Sequence, residues 1–222
     1  MISVRNYEKE LIPFDEAQAL RYFGYAGKEI PAAVKSTFDK CAKEVLDLCS
    51  FRVCFSVFPI KRAGDALDLG FTVTKSKALS QNLAGCEKAI AFAATAGIGI
   101  DRLITRYQSI TPLRAYAVSA IGAERVESLC DVFCKEIAER YKEEGLLPKP
   151  RFSCGYGDFS IEAQRDFFSA LDCNRKIGLT LTNGLLMSPS KSVTALIGLG
   201  KSPGKSAVPC ENCNKTDCAF RK

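Results

Sequence analysis

Hydrophobic and polar positions along the chain change period several times, and each change marks an element. Val34, Phe38, Cys41, Val45 and Leu48 recur at helical steps behind Pro31, which predicts an amphipathic helix over 31–49. Period two follows: Phe51, Val53, Phe55 and Val57 alternate with Arg52, Cys54 and Ser56, so 51–60 reads as a strand. A second strand is predicted over 66–73 after Ala63-Gly64-Asp65, then a helix over 75–84 ending at Gly85. Residues 89–95 are short and apolar and suit a buried strand, and Leu103, Ile104 and Tyr107 mark the helix after it. Thr111-Pro112 is an N-cap and first-turn pair. Behind it Val118, Ile121, Val126, Leu129, Val132, Phe133 and Ile137 keep helical spacing through 113–144, as one long helix or two broken near Gly122. Gly145 can supply the closing left-handed turn. Upstream, 1–12 reads as an edge strand or an arm and 15–22 as a short helix. Downstream, Ser160 caps a helix running to Leu171, and strands are predicted over 177–182 and 192–199. Segregated strands and long helices predict an α+β domain over 1–200.

Composition narrows the function classes. With 222 residues and 47% hydrophobic content the chain can bury one good core with a small appendage. The net charge of +6 comes from interleaved charges of both signs, which excludes a nucleic-acid-binding block. The N-terminus lacks the apolar core of a signal peptide, and the apolar run 89–100 is too short to span a bilayer. These features predict a cytosolic protein, whose 11 cysteines are thiols or metal ligands rather than disulfides. The chain has no histidine, which excludes Cys–His and Ser–His–Asp catalysis and any histidine metal ligand.

Two glycine-rich stretches carry no nucleotide chemistry. In Gly97-Ile98-Gly99 the third glycine of a dinucleotide fingerprint is replaced by Arg102, so the stretch reads as a strand-to-helix turn. Residues 198–206 lack the glycine spacing of a phosphate loop, and 200–209 reads as a flexible linker.

The candidate chemistry gathers at Arg151-Phe152-Ser153-Cys154-Gly155-Tyr156. An arginine fork grips a carboxylate with two parallel bonds. Gly155 and Gly157 let the backbone approach a ligand, and Tyr156 offers a flat face and a hydroxyl. Together they suggest a pocket for a small carboxylate-bearing molecule; the alternative is a glycine-rich turn with one surface arginine. Glu127 and Asp131 lie an i,i+4 step apart, on one face of the long helix. A second signal lies in the tail over 201–222, where Cys210, Cys213 and Cys218 are spaced to share a metal. Cys173 or Cys154 would supply the fourth ligand, Cys173 being preferred because Cys154 sits inside the arginine loop. Zinc and an iron–sulfur cluster both fit, and so does a tail of three free thiols.

The order Arg151-x-x-x-Gly155-Tyr156, a helix, Gly178-x-x-Leu181-Thr182, then Met187-x-Pro189-x-x-Ser192-Val193 resembles the reactivation domain of cobalamin-dependent methionine synthase. The resemblance runs through roughly 85–200. It implies a twisted antiparallel sheet flanked by helices, and binding of S-adenosylmethionine. Arg151 would hold the ligand's carboxylate, Glu127 its ammonium, and amides around Ser153 and Gly155 its remaining polar edges. Tyr156, the catalytic candidate, would lie against the ligand where the corrin arrives. The chain has no Asp-x-His-x-x-Gly motif, so the resemblance implies that cobalamin comes on a partner, a methionine synthase or another corrinoid protein. A flavodoxin or ferredoxin would donate electrons. Phe152, Cys154 and Gly157 stand where the family's loop has prolines, and Asn183-Gly184 where it has Glu-Ser. The family's ligand-contacting tyrosine beyond the last strand has no counterpart here. The competing expectation is a metal-binding electron carrier or scaffold that keeps the fold.

Overall fold

The computed structural model describes residues 1–201, and the tail cysteines Cys210, Cys213 and Cys218 lie outside them. Ten strands and seven α-helices follow in order among the described residues, with two short 3-10 turns between them. The first half comprises β1 (Ser3–Tyr7), α1 (Glu16–Tyr22), α2 (Ala32–Leu48), β2 (Phe51–Pro59), β3 (Lys61–Ala63), β4 (Ala66–Asp68), β5 (Val73–Thr74), α3 (Lys77–Asn82) and β6 (Cys86–Thr95). The second comprises α4 (Ile98–Gln108), α5 (Pro112–Lys142), β7 (Leu147–Pro148), α6 (Gln164–Leu171), α7 (Cys173–Ile177), β8 (Thr180–Leu181), β9 (Met187–Ser188) and β10 (Ser192–Gly200).

The main sheet has the order β1-β2-β6-β10-β7 and is antiparallel throughout, as an α+β domain requires. Period-two alternation sorts its side chains onto two faces, each with its own core. One face carries Phe51, Val53, Phe55, Ile90, Phe92 and Ile197 against Val118, Ile121, Leu129 and Phe133 of α5. The other carries Cys54, Ala89, Ala91, Ala93 and Leu196. The three alanines of β6 on that face let Phe152, Phe159 and Phe167 pack close to the sheet, and so seat the 151–159 loop and α6.

α5 is one unbroken helix of 31 residues. Gly122 does not break it but serves close packing, because a Cβ there would lie 2.8 Å from Ile100 Cγ2. Gly97, at φ +94°, is the turn from β6 into α4, in agreement with the reading of Gly97-Ile98-Gly99.

Two predicted strands differ. The 66–73 segment splits into β4 and β5, because the Asp68 carboxylate accepts from the Gly70 amide (2.8 Å) and Gly70 adopts φ +78°. Both halves join β3 in a side sheet rather than the main one. The 177–182 segment is mostly not a strand: Ile177 ends α7 and Gly178 caps it at φ +70°. Only Thr180–Leu181 pairs, with Met187–Ser188. No helix among the described residues is long and apolar enough to cross a membrane.

Candidate functional site

The site is built where the 149–159 loop runs along β10 and turns back over α5. The Lys149 amide donates to Gly198 O (2.7 Å), and Phe152 exchanges both backbone bonds with Leu196 at 2.9 Å. Phe152 and Cys154 are buried beneath the loop, and burial pushes the Cys154 thiol up to about 12. Gly155, at φ +87°, donates its amide to Phe159 O (2.8 Å) and closes the turn. Tyr156 stands at the apex, 62% exposed and edge-on to the Phe152 ring at 6.3 Å. Asp158 ties the far side to α3, accepting from Ser76 Oγ (2.5 Å) and from the Lys77 and Ala78 amides (2.8 and 3.1 Å). These three donors hold its carboxyl below the ordinary 3.8.

Arg151, at the start of the loop, reaches down to α5. Its Nη2 lies 2.5 Å from Glu127 Oε2 and its Nη1 2.6 Å from Asp131 Oδ1. The arginine side chain is 25% exposed, Glu127 31% and Asp131 62%. The i,i+4 spacing puts both carboxylates on one helical face, and one planar guanidinium bridges them. Cys130 and Cys134 flank the cation; burial raises both thiols, and the charge of Arg151 opposes the shift at each.

α1 delivers a fourth group. Tyr22 is half-buried; its hydroxyl accepts from Gln18 Nε2 (3.2 Å). Burial raises its pKa, and the Glu127 carboxylate raises it further, while Arg151 and Tyr156 also act on it electrostatically. The fully buried pair of Glu124 and Arg125 anchors the segment leading into α1. Arg125 bonds Glu124 twice at 2.7 Å and donates to the carbonyls of Ile12 (3.1 Å) and Pro13 (2.5 Å). Glu124 accepts from the Asp15 amide (3.0 Å) and the Ser128 hydroxyl (2.6 Å).

Of the residues singled out in the sequence, Arg151 and Glu127 meet directly, but they grip each other rather than standing apart for a ligand. Ser153, Gly155 and Tyr156 follow on the same loop. Tyr22 was not legible as a site residue, because nothing local in Leu20-Arg21-Tyr22 signals a neighbour more than a hundred residues away. Cys173 lies fully buried beside Cys54, its thiol donating to Phe167 O (3.9 Å). A tail ligand would have to enter that core to reach it. Among the described residues no group of three or more Cys, Asp or Glu is arranged to hold a metal ion. A cavity of about 570 Å³ lined by Asn6, Lys9, Arg52 and Lys176 lies elsewhere and includes none of these residues.

One guanidinium, two carboxylates and an exposed tyrosine suit a zwitterionic ligand: the cation can take a carboxylate, and a carboxylate an ammonium.

The fold is shared with the crystal structure of the MetH reactivation domain bound to AdoHcy. The match has a TM-score of 0.70 and 18% identity and covers 93% of this chain and 81% of that one. No protein-family model and no curated protein matches the chain.

Proposed function

We infer that this protein binds S-adenosylmethionine at the Arg151 loop and serves the reductive methylation of inactive cobalamin on a corrinoid partner. The observation that carries the reading is the pairing of Arg151 with Glu127, with Tyr156 exposed on the same loop, on a fold shared with a domain solved with AdoHcy, the demethylated form of that cofactor. The residues fit the amino-acid end of such a ligand. Arg151 takes its carboxylate, Glu127 its ammonium, and the turn around Ser153 and Gly155 its remaining polar edges. S-adenosylmethionine brings an electrophilic methyl group with its own leaving group, so transfer to a reduced cobalt needs no general base and no imidazole. What the chain contributes is binding and aim. Tyr156, exposed at the apex, lies against the ligand on the side open to an arriving corrin.

The partner is a cobalamin-dependent methionine synthase or another corrinoid methyltransferase, reduced by a flavodoxin- or ferredoxin-type donor. The tail cysteines, as zinc or iron–sulfur ligands, are the remaining part of this proposal.

Calorimetry tests the reading. S-adenosylmethionine should bind in the micromolar-to-millimolar range. Arg151→Ala should weaken binding by roughly 10- to 150-fold, the worth of a charge-assisted pair of about 1.5–3 kcal/mol. Equal affinity in both proteins would remove Arg151 from the site. No binding of S-adenosylmethionine or S-adenosylhomocysteine would leave the reading of a metal-binding carrier or scaffold that keeps the fold.

A further inference from the structure

The guanidinium that should receive the ligand's carboxylate is already engaged. Arg151 Nη2 is held by Glu127 and Nη1 by Asp131, at 2.5 and 2.6 Å. Each of these Nη atoms faces a carboxylate oxygen, as it would face the two oxygens of a ligand carboxylate. The two acids are not equivalent. Glu127 is 31% exposed and stands beside half-buried Tyr22, whereas Asp131 is 62% exposed, one turn further along α5. A water-exposed ion pair contributes little because the charges are screened and water takes back the freed group at small cost. Asp131 is therefore the partner that yields. Glu127, the more enclosed of the two, stays to meet a cationic group.

We propose that Asp131 is a built-in stand-in for the ligand's carboxylate, closing the Arg151 fork in the free protein and being displaced when ligand binds. Resting on the reading of this site as an S-adenosylmethionine site, it makes Asp131 a determinant of specificity. A ligand must carry a carboxylate that outcompetes the aspartate, so a nucleoside without an amino-acid end gains nothing from the arginine. In the free protein the contact also prevents Arg151 from facing the Glu127 side alone or collecting stray anions.

The test uses two probes of different chemistry and the full chain. S-adenosylhomocysteine has no net charge, so removing one site charge leaves its long-range attraction nearly unchanged, and what remains is the competition at the fork. 5′-Methylthioadenosine lacks both carboxylate and ammonium. Asp131→Asn keeps the shape but weakens the hold on Arg151. Its expected effect in calorimetry is tighter S-adenosylhomocysteine binding by about two- to fivefold, the span set by an exposed ion pair. 5′-Methylthioadenosine affinity should not move. Asp131→Ala should repeat the result, while Glu127→Gln should weaken S-adenosylhomocysteine binding.

Unchanged or weaker binding of S-adenosylhomocysteine in both Asp131 variants, with the wild type binding normally, overturns the stand-in and leaves the site assignment intact. An equal gain for both probes overturns it too, since relief at the fork cannot help a ligand with no carboxylate. If neither the wild type nor the Asp131 variants bind S-adenosylmethionine or S-adenosylhomocysteine, the site assignment fails and the stand-in fails with it.

Discussion

Replacing Arg125 with methionine strands a charge in the interior. Arg125 and Glu124 are both fully buried, and the arginine supplies two of the carboxylate's bonds besides donating to the Ile12 and Pro13 carbonyls. Arg125→Met keeps most of the side-chain volume but leaves Glu124 with the Asp15 amide and the Ser128 hydroxyl, and leaves two carbonyls without a donor. Breaking a buried pair by removing one partner costs about 3–5 kcal/mol. The two surviving bonds to Glu124 place this case near 3 kcal/mol, since the carboxylate is not wholly uncompensated. For a chain of this size that corresponds to a fall in Tm of about 6–12 °C. Urea unfolding at neutral pH, followed by circular dichroism, gives the free energy directly. The second arm is Arg125→Met with Glu124→Gln, which removes the stranded charge and should recover at least half the loss. A single-variant loss below about 1 kcal/mol would refute the reasoning. So would a double variant no more stable than the single, because the penalty would then not be electrostatic. The pair also anchors the segment that carries α1, so ligand binding should weaken in Arg125→Met well below its Tm.

Other expected outcomes are more local. Gly122→Ala should gain about 1 kcal/mol of helix propensity but lose more, roughly 1–3 kcal/mol, from its Cβ meeting Ile100 Cγ2 at 2.8 Å; net destabilisation in urea is the result to look for. Asp158 has its pKa lowered by Ser76 and two amides, so its contribution is complete above the ordinary 3.8 and is lost as pH falls through the lower folded value. Asp158→Asn should therefore be less stable than wild type at neutral pH, with the gap closing in acid. Lys191 has its pKa lowered by burial, so the folded state disfavours its charge and wild-type stability should rise as pH climbs from the lowered value toward 10.5. Lys191→Met should flatten that rise in a series of denaturation curves across alkaline pH.

What the sequence made legible was periodicity backed by burial. β6 could be read because Ile90 and Phe92 face one core and Ala89, Ala91 and Ala93 the other, so the strand is apolar from Ala89 to Ala94, behind the exposed Glu87 and Lys88. α5 could be read because its apolar positions repeat over many turns, though only packing shows that Gly122 is a contact rather than a break. The 66–73 segment misleads for a physical reason: Leu67, Leu69 and Phe71 alternate as a strand would, but one side-chain bond from Asp68 and one positive φ at Gly70 fold it back. Ile177, Leu179 and Leu181 alternate in the same way, yet the first two are buried by ending α7 rather than by pairing. The candidate site was half legible. Arg151 and the acidic step on α5 each stood out, but that Arg151 closes onto Glu127 and Asp131 is a tertiary fact with no local signature.

No proline follows Arg151 in its loop, and other contacts restrain the chain there. A loop that aims an arginine must be stiff, and proline stiffens by fixing φ. Here Phe152 restrains the chain through two ladder bonds to Leu196 and a buried ring. Cys154 adds a small buried anchor, and Gly155 closes onto Phe159. Gly157 could not be a larger residue without its Cβ approaching Ala78 Cβ to 2.9 Å, because the loop lies that close to α3. Asp158 then fastens the loop to the α3 N-terminus by three bonds. Stiffness here comes from long-range anchoring rather than from the backbone itself. Asp158→Asn should therefore disturb ligand binding as well as stability, whereas a local proline would be insensitive to anything at α3.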